Sequence, residues 1–458
     1  MTTPSQSNAL SPARRLAFDA LKEIYRGGYA DVVLHRLLAK SHLSPVDRSF
    51  ATELVYGTVR RQRTLDALID QLGKKPARQQ PLELRIILHL GFYQLRYLTQ
   101  VPESAAVNTS VELTKAVSQA KLSGVVNGIL RQYIRRRQTG TDPLQLPSDR
   151  TTALGIQHSF PDWMVDLWLS QLGEAETTAL CEWFNRPPAI DLRVNPLQLS
   201  REELQQRLTE AGIAVKTLPH LPQALRLTQS VGSIQGLPGY AEGWWTVQDA
   251  SAQLVSTLVH PQPGELVVDA CAAPGGKSTH MAELMGDRGL IWACDRTPSR
   301  LKKLAQNIQR LQLNCIQTCT GDSTEITKFE GEGDRVVVDA PCSGLGTLHR
   351  HADARWRQTP ESVTELADLQ SRLLERAATW VKPSGTLVYA TCTLHPAENE
   401  AVIEQFLAAH PHWQILPPQV DEPAAAFATS SGWVRVWPHR ADMDGFFMVR
   451  LGRRVSEF

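Results

Sequence analysis

Apolar positions in the first third of the chain recur at intervals of three and four: Leu16, Ala20 and Ile24, then Leu65, Leu68, Ile69 and Leu72. That spacing gathers them on one face of an α-helix, and nothing between Pro12 and Arg137 alternates as a half-buried strand would. Helix starts are marked by Ser44-Pro45 with Asp47 in the first turn, by Pro81 before Leu82, and by Pro102-Glu103. Proline fits there because the N–H it lacks has no helical acceptor. A compact bundle of five or more helices is therefore expected, the last one spanning about Val125 to Arg137.

The pattern then changes. Thr139 to Pro147 is polar and broken by proline and glycine, which predicts a linker. A helix-rich stretch with Trp163, Leu167, Leu169 and Trp183 follows, and then a strand (Ile190 to Val194), a helix (Arg201 to Ala211), a strand (Ala214 to Leu218) and another near Ala224 to Thr228. This predicts a small α+β module. From about Trp244 strands and helices alternate strictly, with strands at Leu266 to Asp269, Leu290 to Cys294, Ile316 to Cys319, Val336 to Asp339 and Leu387 to Ala390. Short apolar runs separated by helices predict a doubly wound, mostly parallel sheet. The segments Trp433 to Pro438 and Phe446 to Leu451 resemble an antiparallel hairpin closing it.

A chain of 458 residues outgrows a single core, so the pattern reads as several domains. Charge divides along the same line: residues 1–150 carry 22 Lys/Arg against 12 Asp/Glu, and the remainder 26 against 35. A basic helical part on a mildly acidic one suggests a polyanion held by the first and processed by the second, although a solvated basic surface has the same composition. In the last helix Arg131, Arg135, Arg136 and Arg137 stand with Tyr133, which fits phosphate contacts beside a stacking ring, or a basic helix end complementing its own dipole. No apolar run approaches the ~20 residues of a membrane span, and Met1 to Arg15 lacks a signal-like core, so a cytoplasmic location is expected. Seven cysteines without a CxxC pair argue against a disulfide framework or a structural zinc site, and no metal is expected.

The chemistry concentrates at the strand ends. Asp269-Ala270-Cys271-Ala272-Ala273-Pro274-Gly275-Gly276-Lys277-Ser278 is a strand end, a glycine turn and a helix start, suited to close approach of a carboxylate or phosphate. It matches neither GxxxxGK[ST] nor GxGxxG, which disfavours a nucleoside triphosphate and a dinucleotide. Asp295 closes the second strand, where a carboxylate accepts both ribose hydroxyls, and Asp322 follows the third, within reach of an adenine amino group. Each could instead cap the helix that follows it. A nucleoside joined to an amino-acid carboxylate is S-adenosylmethionine. Cys271, Cys294, Cys315 and Cys319 read as small buried hydrophobes. Two other thiols, in Asp339-Ala340-Pro341-Cys342 and in Ala390-Thr391-Cys392-Thr393, follow strands whose carboxyl ends face one cleft. A thiolate adding to C6 of cytosine activates C5 toward an electrophilic methyl, and Asp339 is placed to bond the N3–N4 edge of the base.

With DACAAPGGKST, DAPCSG and ATCT in place, the chain resembles the RsmB/Sun branch of the NOL1/NOP2/Sun family of RNA cytosine-C5 methyltransferases. The likeness extends to Arg193-Val194-Asn195-Pro196-Leu197, Gln248-Asp249-Ala250-Ser251 and Asp444-Gly445-Phe446-Phe447. It implies an all-α NusB-like bundle over 1–140, a small α+β, RRM-like linking module over 150–240 and a Rossmann-like class I methyltransferase domain over 241–458. It further implies that Cys392 is the nucleophile, that Cys342 assists release of the product, and that Cys271 through Lys277, Asp295, Asp322 and Asp339 contact S-adenosylmethionine. The substrate implied is small-subunit rRNA, as naked RNA or an early particle, modified by a monomer at cytosine 967 of 16S rRNA. Departures are Gln198 for a common lysine, Ala252 for a serine and Thr393 for a serine. Two alternatives stay open: an antitermination-like RNA-binding factor with an inactive methyltransferase scaffold, and a tRNA or DNA cytosine-C5 methyltransferase.

Overall fold

The structure, a computed structural model, describes residues 11–454. The expectation of no signal in Met1 to Arg15 therefore falls largely outside the described residues. The chain divides into two compact units: one formed by the chain up to Arg186 with Leu348–Arg357, the other by Pro187–Thr347 with the chain from Gln358 onward.

The first unit contains, among the described residues, helices and no strand. Its axis is the helix Leu82–Tyr97, buried on every side from Ile86 to Leu95, with Leu84, Ile86, Ile87, Leu90, Phe92 and Leu95 in the core. A helix of that composition belongs inside a bundle. Pro12–Ile24, Pro45–Arg60, Gln62–Leu72, Glu103–Ala116 and Ser123–Gln138 surround it and bury the faces that periodicity marks, including Ala20, Ile24, Leu65, Leu68, Ile69 and Leu72. Ser44 caps its helix, accepting the Asp47 N–H at 3.2 Å.

Two readings of this region are corrected. Tyr133 is 1% exposed and packs edge-on against Phe92 at 5.4 Å, so it is core and not a platform for bases. Arg131, Arg135, Arg136 and Arg137 remain exposed, and Arg137 also donates to the Leu95 carbonyl at 2.7 Å. Thr139 to Pro147 is no free linker. Arg96 grips Asp142 with two bonds of 2.8 and 2.9 Å, and Leu144 is buried in the bundle core, so this stretch runs bound along the helices. Arg150–His158 and Asp162–Phe184 pack in the same unit. So does Leu348–Arg357, from the loop beyond Cys342: Arg355 is fully buried over the Phe160 ring at 4.0 Å and donates to the carbonyls of Arg60, Ser159 and Phe184.

The second unit holds two sheets. In the smaller, β1 (Asp191–Val194), β2 (Val215–Leu218), β3 (Leu221–Leu227) and β4 (Trp245–Val247) pair antiparallel in the order β2-β3-β1-β4. Its helix, Arg201–Glu210, starts with a capping box between Ser200 and Glu203. The larger comprises β5 (Leu266–Asp269), β6 (Leu290–Asp295), β7 (Ile316–Thr320), β8 (Gly333–Asp339), β9 (Val381–Thr391), β10 (Trp413–Ile415), β11 (Val434–Val436) and β12 (Phe446–Arg453). The order is β10-β12-β9-β8-β5-β6-β7, with β11 on β12. Strands β5 to β9 pair in parallel and β12 antiparallel to β9, so the doubly wound sheet carries the expected antiparallel closure. The chain order reverses between β5 and β8, the point at which an open α/β sheet leaves a crevice beyond its carboxyl ends.

Among the described residues no helix is long and apolar enough to cross a membrane, and no group of three or more His, Cys, Asp or Glu is arranged to hold a metal.

Candidate active site

Strands β8 and β9 are neighbours, with Asp339 opposite Ala390, so the loops leaving them start side by side. The Ala340 N–H reaches the Ala390 carbonyl at 2.9 Å and the Gly346 N–H reaches the Cys392 carbonyl at 2.9 Å, which keeps the loops together past the sheet. The half-buried Cys342 and Cys392 consequently bring their Sγ atoms to 3.3 Å. The hydrogen bond to Cys392 and then burial push the Cys342 thiol well up. Neither thiol, nor any of the other five cysteines, lies in a disulfide in this structure.

Gly346 lets a third segment join them. The Gly445 N–H donates to the Gly346 carbonyl at 2.8 Å, and a Cβ on Gly346 would lie 2.0 Å from the Gly445 oxygen and 2.8 Å from that of Cys392. Because both neighbours are backbone, Gly346→Ala must displace one of the loops. It is expected to lower stability by at least about 2 kcal/mol, read as a shift in the urea midpoint, and to lower transfer activity with it.

Asp339 accepts from Lys277 Nζ at 2.5 Å, and that ammonium stands 5.4 Å from the centre of the Phe446 ring. Burial works against the Lys277 charge, but Asp339, with the Cys392 sulfur beyond it, outweighs burial and holds the ammonium above its usual range. Asp269 lies deeper. Burial pushes its carboxyl up to about 7, against a bond from the Ser278 hydroxyl at 2.6 Å, so it anchors the first turn of the Gly276–Leu284 helix from below.

Gly275, which precedes that helix, has φ +103°, and a Cβ there would lie 2.2 Å from Leu304 Cδ1. Conformation and space both require glycine. The first N–H groups of the helix have no helical acceptor and carry its positive end. Beside them a cavity is lined by Cys271, Asp295, Asp322, Ser323, Pro341 and Leu373. Asp295 is buried; its Oδ1 accepts the Thr297 N–H at 2.8 Å and its Oδ2 lies 3.3 Å from Arg300. Asp322 is exposed, and the Thr324 hydroxyl and N–H hold its carboxyl below the usual range. Each acid thus makes the local turn contacts that capping would give, and also faces the cavity. Ala272 and Ala273 are buried in the turn and Pro274 is exposed beside it. Cys271 forms part of the cavity wall, and its burial and the neighbouring acids, Asp269 first, push its thiol up. Two carboxylates, an apolar wall of Pro341 and Leu373, and a helix amino end fit a nucleoside bearing an amino-acid tail.

Sequence reasoning missed two supports. Arg193, fully buried, pairs with Glu283 at 2.7 and 2.9 Å and donates to the Gly276 carbonyl at 2.6 Å, fastening the small sheet to the helix of the glycine turn. Glu398, also fully buried, lies beneath both thiol loops. Arg193 stood in a recognisable segment without an evident task, and Glu398 lies in His395-Pro396-Ala397-Glu398-Asn399-Glu400, which reads locally as a polar turn.

Comparison with known proteins covers the whole arrangement. Residues 256–452 match the family described as 16S rRNA methyltransferase RsmB/F, residues 11–135 the NusB family, and residues 160–233 the ferredoxin-like domain of RsmF/B-like methyltransferases. A Synechocystis sp. protein named probable ribosomal RNA small subunit methyltransferase B is 52% identical over 96% of this chain and 99% of its own length. The Serratia proteamaculans ribosomal RNA small subunit methyltransferase B is 34% identical over 89% of this chain and 91% of its own. A crystal structure of a methyltransferase homologue protein from Pyrococcus horikoshii, 30% identical, superposes on 68% of this chain and the whole of that one with a TM-score of 0.59.

Proposed function

The chain belongs to the RsmB/F family of 16S rRNA methyltransferases, and on that premise we propose that it methylates C5 of one cytosine, cytosine 967 of 16S rRNA, through a covalent Cys392–C6 adduct. The observation that carries this reading is the pair of sulfurs 3.3 Å apart, with Asp339 and Lys277 beside them at the carboxyl edge of the sheet. S-adenosylmethionine, when bound, supplies an electrophilic sulfonium methyl group. Asp295, Asp322 and the turn from Cys271 to Lys277 are the residues that would hold it.

Cys392, as the thiolate, adds to C6, and the electron pair of the C5–C6 double bond becomes available at C5. Asp339 bonds the N3–N4 edge of the base, and Lys277, bonded to Asp339, steadies its carboxylate. Cys342 takes up the C5 proton once the methyl is in place, and the Cys392–C6 bond then breaks to release the product. The target base must leave its stack to reach sulfurs at this depth, so a loop or an unpaired stretch is the expected substrate. Residues 1–140 dock the RNA through the exposed arginines 131, 135, 136 and 137, residues 150–240 link, and residues 241–458 carry out the transfer. The protein acts in the cytoplasm as a monomer.

The test is transfer of labelled methyl from S-adenosylmethionine to 16S rRNA fragments, early small-subunit particles, tRNA and duplex DNA, with the product base mapped. Label in 5-methylcytosine at one rRNA position is expected. Label confined to tRNA or DNA would replace the substrate, and RNA binding without label on any of them would leave the antitermination-like reading.

A further inference from the structure

The Glu398 carboxylate has no exposed surface, and the partners of its two oxygens, among the described residues, are neutral donors. Oε1 accepts from the Ser343 backbone N–H at 2.8 Å and from Gln370 Nε2 at 3.0 Å. Oε2 accepts from the Ser343 hydroxyl and from the Thr393 hydroxyl at 3.2 Å. Ser343 follows Cys342 and Thr393 follows Cys392, so one carboxylate holds each thiol loop one residue beyond its sulfur. The Ser343 and Thr393 oxygens are themselves 2.7 Å apart. The stretch around Glu398 is fixed in turn: the Tyr389 hydroxyl donates to the Glu398 carbonyl at 2.6 Å, and Asn399 accepts from Thr391 at 2.6 Å and donates to the Thr393 carbonyl at 3.1 Å.

The N–H groups at Oε1 can only donate, and the two hydroxyls at Oε2 can turn to donate to the ionised carboxylate. Burial pushes the Glu398 carboxyl above its usual range, while the bonds from Ser343, Gln370 and Thr393 work the other way. Its charge opposes ionisation of Cys342, whose loop it holds through both the Ser343 N–H and the Ser343 hydroxyl, whereas it holds the Cys392 loop through the Thr393 hydroxyl alone. The environment of the two sulfurs is therefore asymmetric.

We propose that Glu398 is a positioning residue that clamps the two thiol loops and sets the polarity of the sulfur pair, with Cys342 as the S–H donor and Cys392 as the acceptor. This deepens, and rests on, the reading of Cys392 as nucleophile. Cys342 keeps its own proton while Cys392 is free. Once the Cys392 sulfur is bonded to carbon it carries no charge, the contact that held the Cys342 proton weakens, and Cys342 releases that proton to solvent water before it takes up the one from C5.

Alkylation of the full chain by iodoacetamide, without RNA or S-adenosylmethionine, followed by peptide mass spectrometry, reads the relative rates at the two cysteines. In the wild type Cys392 is expected to label at least about tenfold faster, because the thiolate is the reactive form. Glu398→Gln replaces an acceptor with a donor and should bring the two rates within about twofold, while lowering kcat for methyl transfer far more than it alters KM. Thr393→Val should move the ratio the same way, and Thr393→Ser, which keeps the hydroxyl, should retain the wild-type ratio; this pair decides the matter if Glu398→Gln does not fold. Equal labelling in the wild type, or a ratio unchanged in both Glu398→Gln and Thr393→Val, overturns the clamp. The labelling requires no substrate, so failure of the wild type to methylate any RNA overturns the proposed function separately.

Discussion

Cys392→Ser is expected to lose methyl transfer by at least about ten-thousandfold, because a serine hydroxyl is not ionised near neutral pH and the reaction has no other route to an activated C5. Cofactor binding should stay within about twofold of the wild type, since the cavity at Cys271, Asp295 and Asp322 is built from other strand ends. Single-turnover transfer of labelled methyl to rRNA, with calorimetric titration of S-adenosylmethionine, checks both halves. Loss of binding together with transfer would mean that the substitution had disrupted the β9 loop, and residual transfer above about a hundredth of wild type would remove Cys392 from the nucleophile's role.

Asp339→Asn is the second large effect. The substitution keeps the shape and removes the charge, so the N3–N4 edge of the base loses the group that follows its changing electron density. A decrease in kcat of about a hundred- to a thousandfold is expected, with KM for RNA changed much less. Lys277 Nζ, which bonds Asp339 at 2.5 Å, is then left with burial and without its acid partner, so its affinity for the proton falls. A Lys277→Met, Asp339→Asn double variant should therefore cost less than the sum of the single changes, a coupling that a pair of independent residues would not show.

The parts of this site that lie on strand ends were legible in the sequence. Leu266 to Asp269 reads as a buried apolar run closed by an acid and is β5 residue for residue; β6 and β8 end at Asp295 and Asp339 for the same reason. A parallel sheet puts all those ends on one edge, so the convergence of Cys342 and Cys392 follows from topology once the strands are identified. What could not be read depends on contacts between distant segments. Glu398 acquires its importance from Ser343, 55 residues away, and from Gln370 on a neighbouring helix, together with Thr393. Tyr133, in a helix of arginines, looks like a surface ring until Phe92 is found against it. Thr139 to Pro147 has a linker's composition, yet Arg96 and the bundle core bind it down. Nothing in His349-Arg350-His351-Ala352-Asp353-Ala354-Arg355 signals that this stretch, so close to the Cys342 turn, folds with the helices and buries an arginine there.

The covalent route is tested most directly by incubating wild type, Cys342→Ser and Cys392→Ser with labelled S-adenosylmethionine and a 16S rRNA fragment and separating the products on a denaturing gel. A labelled protein–RNA adduct is expected to persist in Cys342→Ser, because the methylated base cannot be released, with free labelled RNA from the wild type and neither species from Cys392→Ser. An adduct retained in Cys392→Ser and lost in Cys342→Ser would make Cys342 the nucleophile.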